Sequence, residues 1–182
     1  MSNYCDFEIH VRGRKKDCKK FYEMMWNPHL KERFYGIGEA LLHDQYGTED
    51  DYSMEIVGNC SWSVKSSMCT EYATKGREKI ASIGNLSARL RLDVESWAEE
   101  RGFEFQEHLR YQNGKCLVNK CHDVTWHCYD RSEYSSFEEF LKENELTGYT
   151  EDDLDDNDEI IVGAQEWTFA NDRSSMNLMK AA

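Results

Sequence analysis

Cys116, Cys121, His122, His127 and Cys128 crowd thiols and imidazoles into one short stretch. These are ligand types that zinc takes. The spacings are C-x4-C and H-x4-H, with no CxxC pair. In an extended chain neighbouring side chains point to opposite faces, so Cys121 parts from His122 and His127 from Cys128. One tetrahedral site cannot gather them all, and neither a metal nor another cofactor is expected. Cys5, Cys60 and Cys69 lack the local signature of a nucleophile. A thiol without one serves as a small apolar core residue. Asp153, Asp155, Asn157 and Glu159 alternate like the start of an EF-hand loop. Asp158 stands where that loop needs glycine and Ala164 where it needs glutamate, which leaves only weak, nonspecific cation binding. Phe103, Phe105 and Tyr111 are of a type that stacks bases on an open sheet. A pI near 4.9 withholds the positive field such modules need, so direct nucleic-acid binding is not expected.

The elements that would carry these residues can be read from periodicity. Residues 3–12 alternate as a strand, with Tyr4, Asp6, Glu8 and His10 against Cys5, Phe7, Ile9 and Val11. Residues 14–26 place Cys18, Phe21, Tyr22 and Met25 on one helical face, and Asn27-Pro28 ends that helix. Residues 33–46 read as a strand bent at Gly36 and Gly38, and 47–51 as a turn. Residues 52–65 read as a strand broken at Gly58-Asn59, and 75–90 as a helix. Strands follow at 92–99 and 103–111. Asn113-Gly114 has the chemistry of a type I′ hairpin turn. That turn pairs Gln112 with Lys115, Leu109 with Val118 and Glu107 with Lys120. Residues 121–130 are expected to extend the sheet. Ser136-Phe137-Glu138-Glu139 opens a short helix as a capping box, with Phe137, Phe140 and Leu141 as its apolar stripe. Residues 160–170 read as a last strand, and the tail from Asn171 onward as frayed.

This order predicts an α+β fold: a ferredoxin-like βαββαβ sandwich with an antiparallel sheet, extended by C-terminal strands and a short helix. The expected division is a core over 1–128 and an acidic extension over 129–182 packed on the same domain. The helices would cover one sheet face and leave the other open to a partner.

Charge is unevenly distributed. The net charge is −13, and residues 1–90 balance 13 acidic against 13 basic side chains. Residues 130–159 hold 13 acidic and 2 basic side chains. Such a patch repels nucleic acid and attracts basic surfaces. Arg12, Arg14, Lys15, Lys16, Lys19 and Lys20 form the opposing basic cluster, which could grip phosphate or simply face solvent. No apolar run reaches the roughly 20 residues of a membrane span. The N-terminus lacks a signal peptide's basic and apolar regions, so a cytoplasmic protein with reduced thiols is expected.

Three stretches, SNYCDFEIHVRG, GNCSWSV at 58–64 and ESWAEERGFEFQEHLRYQNG at 95–114, together resemble the YubB-type ferredoxin-like proteins of phages, plasmids and Firmicutes. In that family the middle motif tends to read Gly-Asp-Cys-Ala-Trp-Ser-Val. The third motif tends to carry a Glu-Glu-Pro-Gly turn before Phe-Gln-Glu-His. Here Asn59, Ser61 and Arg101 depart from the pattern. The resemblance covers about residues 3–120 and implies the ferredoxin-like fold, with no activity to carry over. Glu107 and His108 fall in its third motif but face opposite ways on a strand. In size, charge and phage-like character the chain also resembles anti-CRISPR proteins that inhibit Cas9.

The expectation from that second resemblance is a non-enzymatic inhibitor of the host nuclease Cas9 loaded with guide RNA, acting in the bacterial cytoplasm. Its carboxylates would meet the cationic channels in which Cas9 holds nucleic acid. The expected partner-binding residues are Glu138, Glu139, Glu143, Glu151, Asp152, Asp153, Asp155, Asp156 and Asp158. The alternatives are a ferredoxin-like accessory or ligand-binding domain of mobile elements, and an enzyme using Glu107, His108 or a cysteine.

Overall fold

The computed structural model describes residues 4–69 and 79–171. The first half contains β1 (Tyr4–Gly13), α1 (Lys15–Trp26), β2 (Glu32–Arg33), β3 (Ile37–Gly47) and β4 (Tyr52–Ser61). A π-helical turn (Lys65–Cys69), β5 (Lys79–Ile80) and α2 (Ile83–Leu90) follow. The second half contains β6 (Asp93–Glu100), β7 (Phe105–Gln112), β8 (Lys115–Asp123), β9 (Thr125–Cys128), α3 (Phe137–Glu143) and β10 (Glu159–Val162). Six strands form one sheet in the order β3-β4-β1-β6-β7-β8, and every neighbouring pair in it is antiparallel. The fold is therefore α+β and built on an antiparallel sheet.

Alternation in β1 decides which face closes. Cys5, Phe7, Ile9 and Val11 are buried and join the core with Cys18, Phe21, Met24 and Met25 of α1 and Ile83, Leu86 and Leu90 of α2. Each fully buried apolar side chain of this size contributes about 1.5–3 kcal/mol. The α1 stripe lies slightly rotated from expectation, since Met24 is buried while Tyr22 is half-buried. Ser82 caps α2 by accepting from the Asn85 N–H. Arg91 adopts the left-handed conformation at its C-terminus.

The structure corrects several sequence expectations. The helix expected over 75–90 begins only at Ile83, because Lys79–Ile80 pairs with Glu32–Arg33 as a short parallel ladder. The part of that expectation on 75–78 lies outside the described residues. Gly58 does not break β4, which runs unbroken to Ser61. A Cβ at Gly58 would stand 2.1 Å from the Glu39 carbonyl oxygen, so glycine allows β3 to approach. Asn113 and Gly114 take positive φ as the turn requires, and Gln112 pairs with Lys115. A bulge between Arg110 and Tyr111 then shifts the register by one. Leu109 faces Asn119, Glu107 faces Cys121, and Lys120 sits opposite His108.

Residues 121–130 do not all extend the sheet. β8 ends at Asp123, and β9 leaves to pair with β10. This pair and α3 enclose a second small core of Tyr129, Phe137, Phe140, Leu146 and Ile160. Ser136 caps α3 by accepting from the Glu139 N–H. Glu139 answers to Ser135 and not to the cap residue, so the capping box is half formed. The expected last strand ends at Val162. Beyond it the chain crosses the sheet face that the helices leave uncovered, and Asn171 is buried there instead of frayed. The rest of the expected tail lies outside the described residues.

Candidate functional site

The acidic extension stays acidic when folded. Glu138, Glu139, Glu143, Glu151, Asp152, Asp153, Asp156 and Asp158 are exposed, and Asp155 is half-buried. Three of these carboxylates hold local structure. Glu139 accepts from the Ser135 N–H at 2.8 Å. Asp153 accepts from the Thr150 N–H at 2.7 Å, and Asp155 from the N–H groups of Asn157 and Glu159 at 2.8 and 3.0 Å. Hydrogen bonds from Ser135 hold the Glu139 carboxyl below the usual carboxylate range, and the first turn of α3 does the same for Glu138. Burial pulls Asp155 upward, but its N–H donors, the Asn157 amide and Arg101 outweigh that and lower it. Arg101 reaches Glu159 at 2.6 Å and Asp155 at 3.9 Å, and Arg131 lies 3.6 Å from Asp158.

The basic cluster near the N-terminus does not neutralise this surface. Arg12 pairs with Asp51 at 3.0 Å, Arg14 with Asp17 at 2.7 Å, and Lys15 with Glu49 at 2.7 Å. Beside Arg101, in the same turn, Phe103 stacks on Trp62 at 5.8 Å between ring centroids. Both rings are exposed.

The open sheet face carries a second constellation. Glu95 is 1% exposed, yet its carboxylate meets His108 Nε2 at 2.8 Å and accepts from the Asn171 N–H at 3.0 Å. Arg110 binds Asp93 through two nitrogens at 2.8 and 3.0 Å and lies 3.7 Å from Glu95. Trp97 stacks on His108 at 4.0 Å and donates its indole N–H to the Thr168 carbonyl. Phe169 stacks on His10 at 3.6 Å. Residues 163–171 thus form a strap from β7 across β6 to β1, beginning where the Gln165 N–H donates to Gln106.

On the next strand along this face, with His10 opposite Glu95, His10 Nε2 lies 2.7 Å from Glu8 Oε1 and 3.8 Å from Glu55 Oε2. Among the described residues this is the group of His, Cys, Asp and Glu whose donor atoms converge, all within 4.8 Å of one another. Sequence reasoning missed it. The alternation in β1 put Glu8 and His10 on one face, but nothing in the sequence placed Glu55 opposite His10.

The other sequence candidates disperse. Cys116, Cys121 and Cys128 are exposed, His122 meets Gln106 at 3.0 Å, and His127 meets Asn144 at 3.2 Å. Cys5, Cys18 and Cys60 are buried in the core. Burial pushes the Cys18 and Cys69 thiols up to about 12, which keeps them protonated and poor nucleophiles at neutral pH. Phe105 and Tyr111 face the helices instead of an open surface and pack on the core. Glu107 also faces the helices, accepts from the Lys65 N–H at 3.2 Å and pairs across the sheet from Ala98. Burial raises its carboxyl above the ordinary range, and its N–H and hydroxyl donors at Lys65, Ser63 and Val64 offset this only in part. Glu107 and His108 therefore belong to different faces, and Glu107 ties the 58–64 motif to the 95–114 motif.

No protein-family model, curated protein or solved structure matches the chain. Among the described residues no helix is long and apolar enough to cross a membrane.

Proposed function

We propose that this chain is a non-enzymatic inhibitor that docks through its acidic C-terminal face onto a cationic, nucleic-acid-binding channel, with guide-RNA-loaded Cas9 as the partner. The observation that carries this reading is the exposure of Glu138, Glu143, Glu151, Asp152 and Asp156 on a folded unit, away from the chain's own basic cluster. Exposed carboxylates carried on one folded unit can pair with arginine forks and lysines, which favours specific docking over diffuse attraction. The exposed Trp62–Phe103 pair beside Arg101 supports the same reading, since aromatic anchors dominate interface energetics. The fold is read as ferredoxin-like with a β7–β8 extension. β1, α1, β3, β4, α2 and β6 follow the βαββαβ order, and their strands lie as β3-β4-β1-β6.

The test neutralises only carboxylates that hold no backbone: Glu143→Gln, Glu151→Gln, Asp152→Asn and Asp156→Asn in one variant. Asp153 and Asp155 are spared because they cap local turns. Wild-type protein is expected to co-purify with guide-loaded Cas9, to block its binding of target DNA, and to bind more weakly as salt rises. The variant should melt like wild type and lose most of the inhibition. Full inhibition by a folded variant would reject docking through this face.

A further inference from the structure

Glu8, His10 and Glu55 meet on the open sheet face, far from the acidic extension in sequence and outside the docking surface. Their arrangement is fixed by strand pairing. Glu8 and His10 are two residues apart on β1, and Glu55 is the β4 residue directly opposite His10. His10 Nε2 is hydrogen-bonded to Glu8 Oε1 at 2.7 Å and lies 3.8 Å from Glu55 Oε2, so an entering ion would take the place of that proton and spread the donors to the roughly 3.0–3.4 Å set by bonds of about 2.1 Å. His43, on the bulge of β3, stands with Nε2 3.7 Å from the other oxygen of Glu55. That adds a second imidazole beside the same carboxylate.

The surroundings hold the ligands in place. Phe169 lies flat on the His10 ring, 5° from parallel, and the Asn171 amide donates to the His10 carbonyl at 3.1 Å. A second observation is independent of the acidic groups. Ser53 Oγ and Asn171 Oδ1 are buried and have no hydrogen-bond partner among the described residues. Both border the same cleft as His10 and Glu55. Buried polar atoms are almost always satisfied, so two orphans in one cleft mark an incomplete polar site beside His10 and Glu55.

We propose that Glu8, His10 and Glu55 bind one divalent first-row transition metal ion. An imidazole with two carboxylates suits zinc, manganese or iron better than calcium or magnesium, which favour all-oxygen shells. The ion would join β1 to β4 and lie against the strap that ends at Asn171. Its role is independent of the acidic face, and either proposal can fail alone.

The experiment titrates untagged, chelator-treated protein with Zn²⁺ by calorimetry and with Co²⁺ by visible absorption. Wild type should take up one equivalent, give a Co²⁺ ligand-field band and melt at a higher temperature with the metal. Glu8→Gln and Glu55→Gln are near-isosteric changes at half-buried positions, so both should fold. Each is expected to weaken binding by at least about tenfold and to abolish the band. The four-site acidic variant described above should bind as wild type does. The absence of stoichiometric uptake by wild type, or uptake that survives Glu55→Gln in a folded protein, would overturn the proposal. So would loss of uptake in the acidic variant alone, which would assign the metal to the wrong face.

Discussion

Glu107 gives the sharpest test of how the fold is held together. It lies 4% exposed on the helix-facing side of β7, opposite Ala98 and Cys121. There it accepts from the N–H that opens the π-helical turn at Lys65. Two replacements separate its hydrogen bonding from its charge. Glu107→Ala removes the carboxylate that accepts from the Val64 and Lys65 N–H groups. Hydrogen bonds to a charged group are worth about 1.5–3 kcal/mol, so this variant is expected to lose about 2–4 kcal/mol. Glu107→Gln keeps an acceptor oxygen and removes the charge, and should lie within about 1 kcal/mol of wild type near neutral pH. The dependence on pH has a definite sign. Because burial raises the folded pKa above the ordinary 4.5, the folded state binds the proton more tightly than the unfolded chain. The stability this contributes is complete below pH 4.5 and is lost as pH rises through the raised folded value. Wild type should therefore lose stability relative to Glu107→Gln over that window. Urea melts followed by tryptophan fluorescence, repeated across the acid and neutral range, measure the difference. A wild type that gains on Glu107→Gln as pH rises would show that the anion is the favoured buried form and refute the reasoning.

Two further perturbations test the sheet itself. Gly58→Ala places a Cβ 2.1 Å from the Glu39 carbonyl oxygen and 3.0 Å from the Ala40 Cα, both backbone atoms of β3. It is expected to cost about 1–3 kcal/mol in urea melts, and unchanged stability would show that β3 can move away. His108→Ala leaves the buried Glu95 carboxylate with the Asn171 N–H and the more distant Arg110. The expected loss is about 2–3 kcal/mol, below the roughly 3–5 of a fully orphaned buried charge, with altered Trp97 fluorescence as its stacked ring is removed. A neutral effect would mean that Glu95 does not depend on its imidazole.

Sequence periodicity was most informative where a segment had one buried face. The alternation of β1 and the i, i+3, i+4 apolar stripe of α1 are consequences of burying one side, so both were legible. The Asn113-Gly114 turn was legible because positive φ at both positions restricts the chemistry. Its register was not, because the bulge inserts Leu117 between the partners of Arg110 and Tyr111, and no sequence rule marks it. Gly58 misled for a related reason. A glycine that admits a neighbouring backbone looks the same in sequence as one that breaks a strand. Residues 163–170 read as the end of a strand, yet the strap's N–H groups and rings are engaged by side chains of the sheet face.

The two candidate sites differ in legibility because they arise at different levels of structure. The acidic surface is a property of composition. Carboxylates are costly to bury, and of the thirteen acidic side chains in residues 130–159 all but Asp155 and Glu159 are exposed. The histidine–carboxylate cluster is a property of pairing. His10 and Glu55 are 45 residues apart, and they meet only because β4 lies antiparallel to β1 in one register. A slip of one residue would bring Glu55 beside an apolar position and send the cluster to opposite faces. The residues that fix that register are the buried ones on the other side, Ile9 against Ile56 and Val11 against Met54. The apolar core therefore positions the ligands on the polar face. Core substitutions that loosen the β1–β4 pairing should weaken metal uptake while leaving the exposed carboxylates of residues 130–159 unchanged.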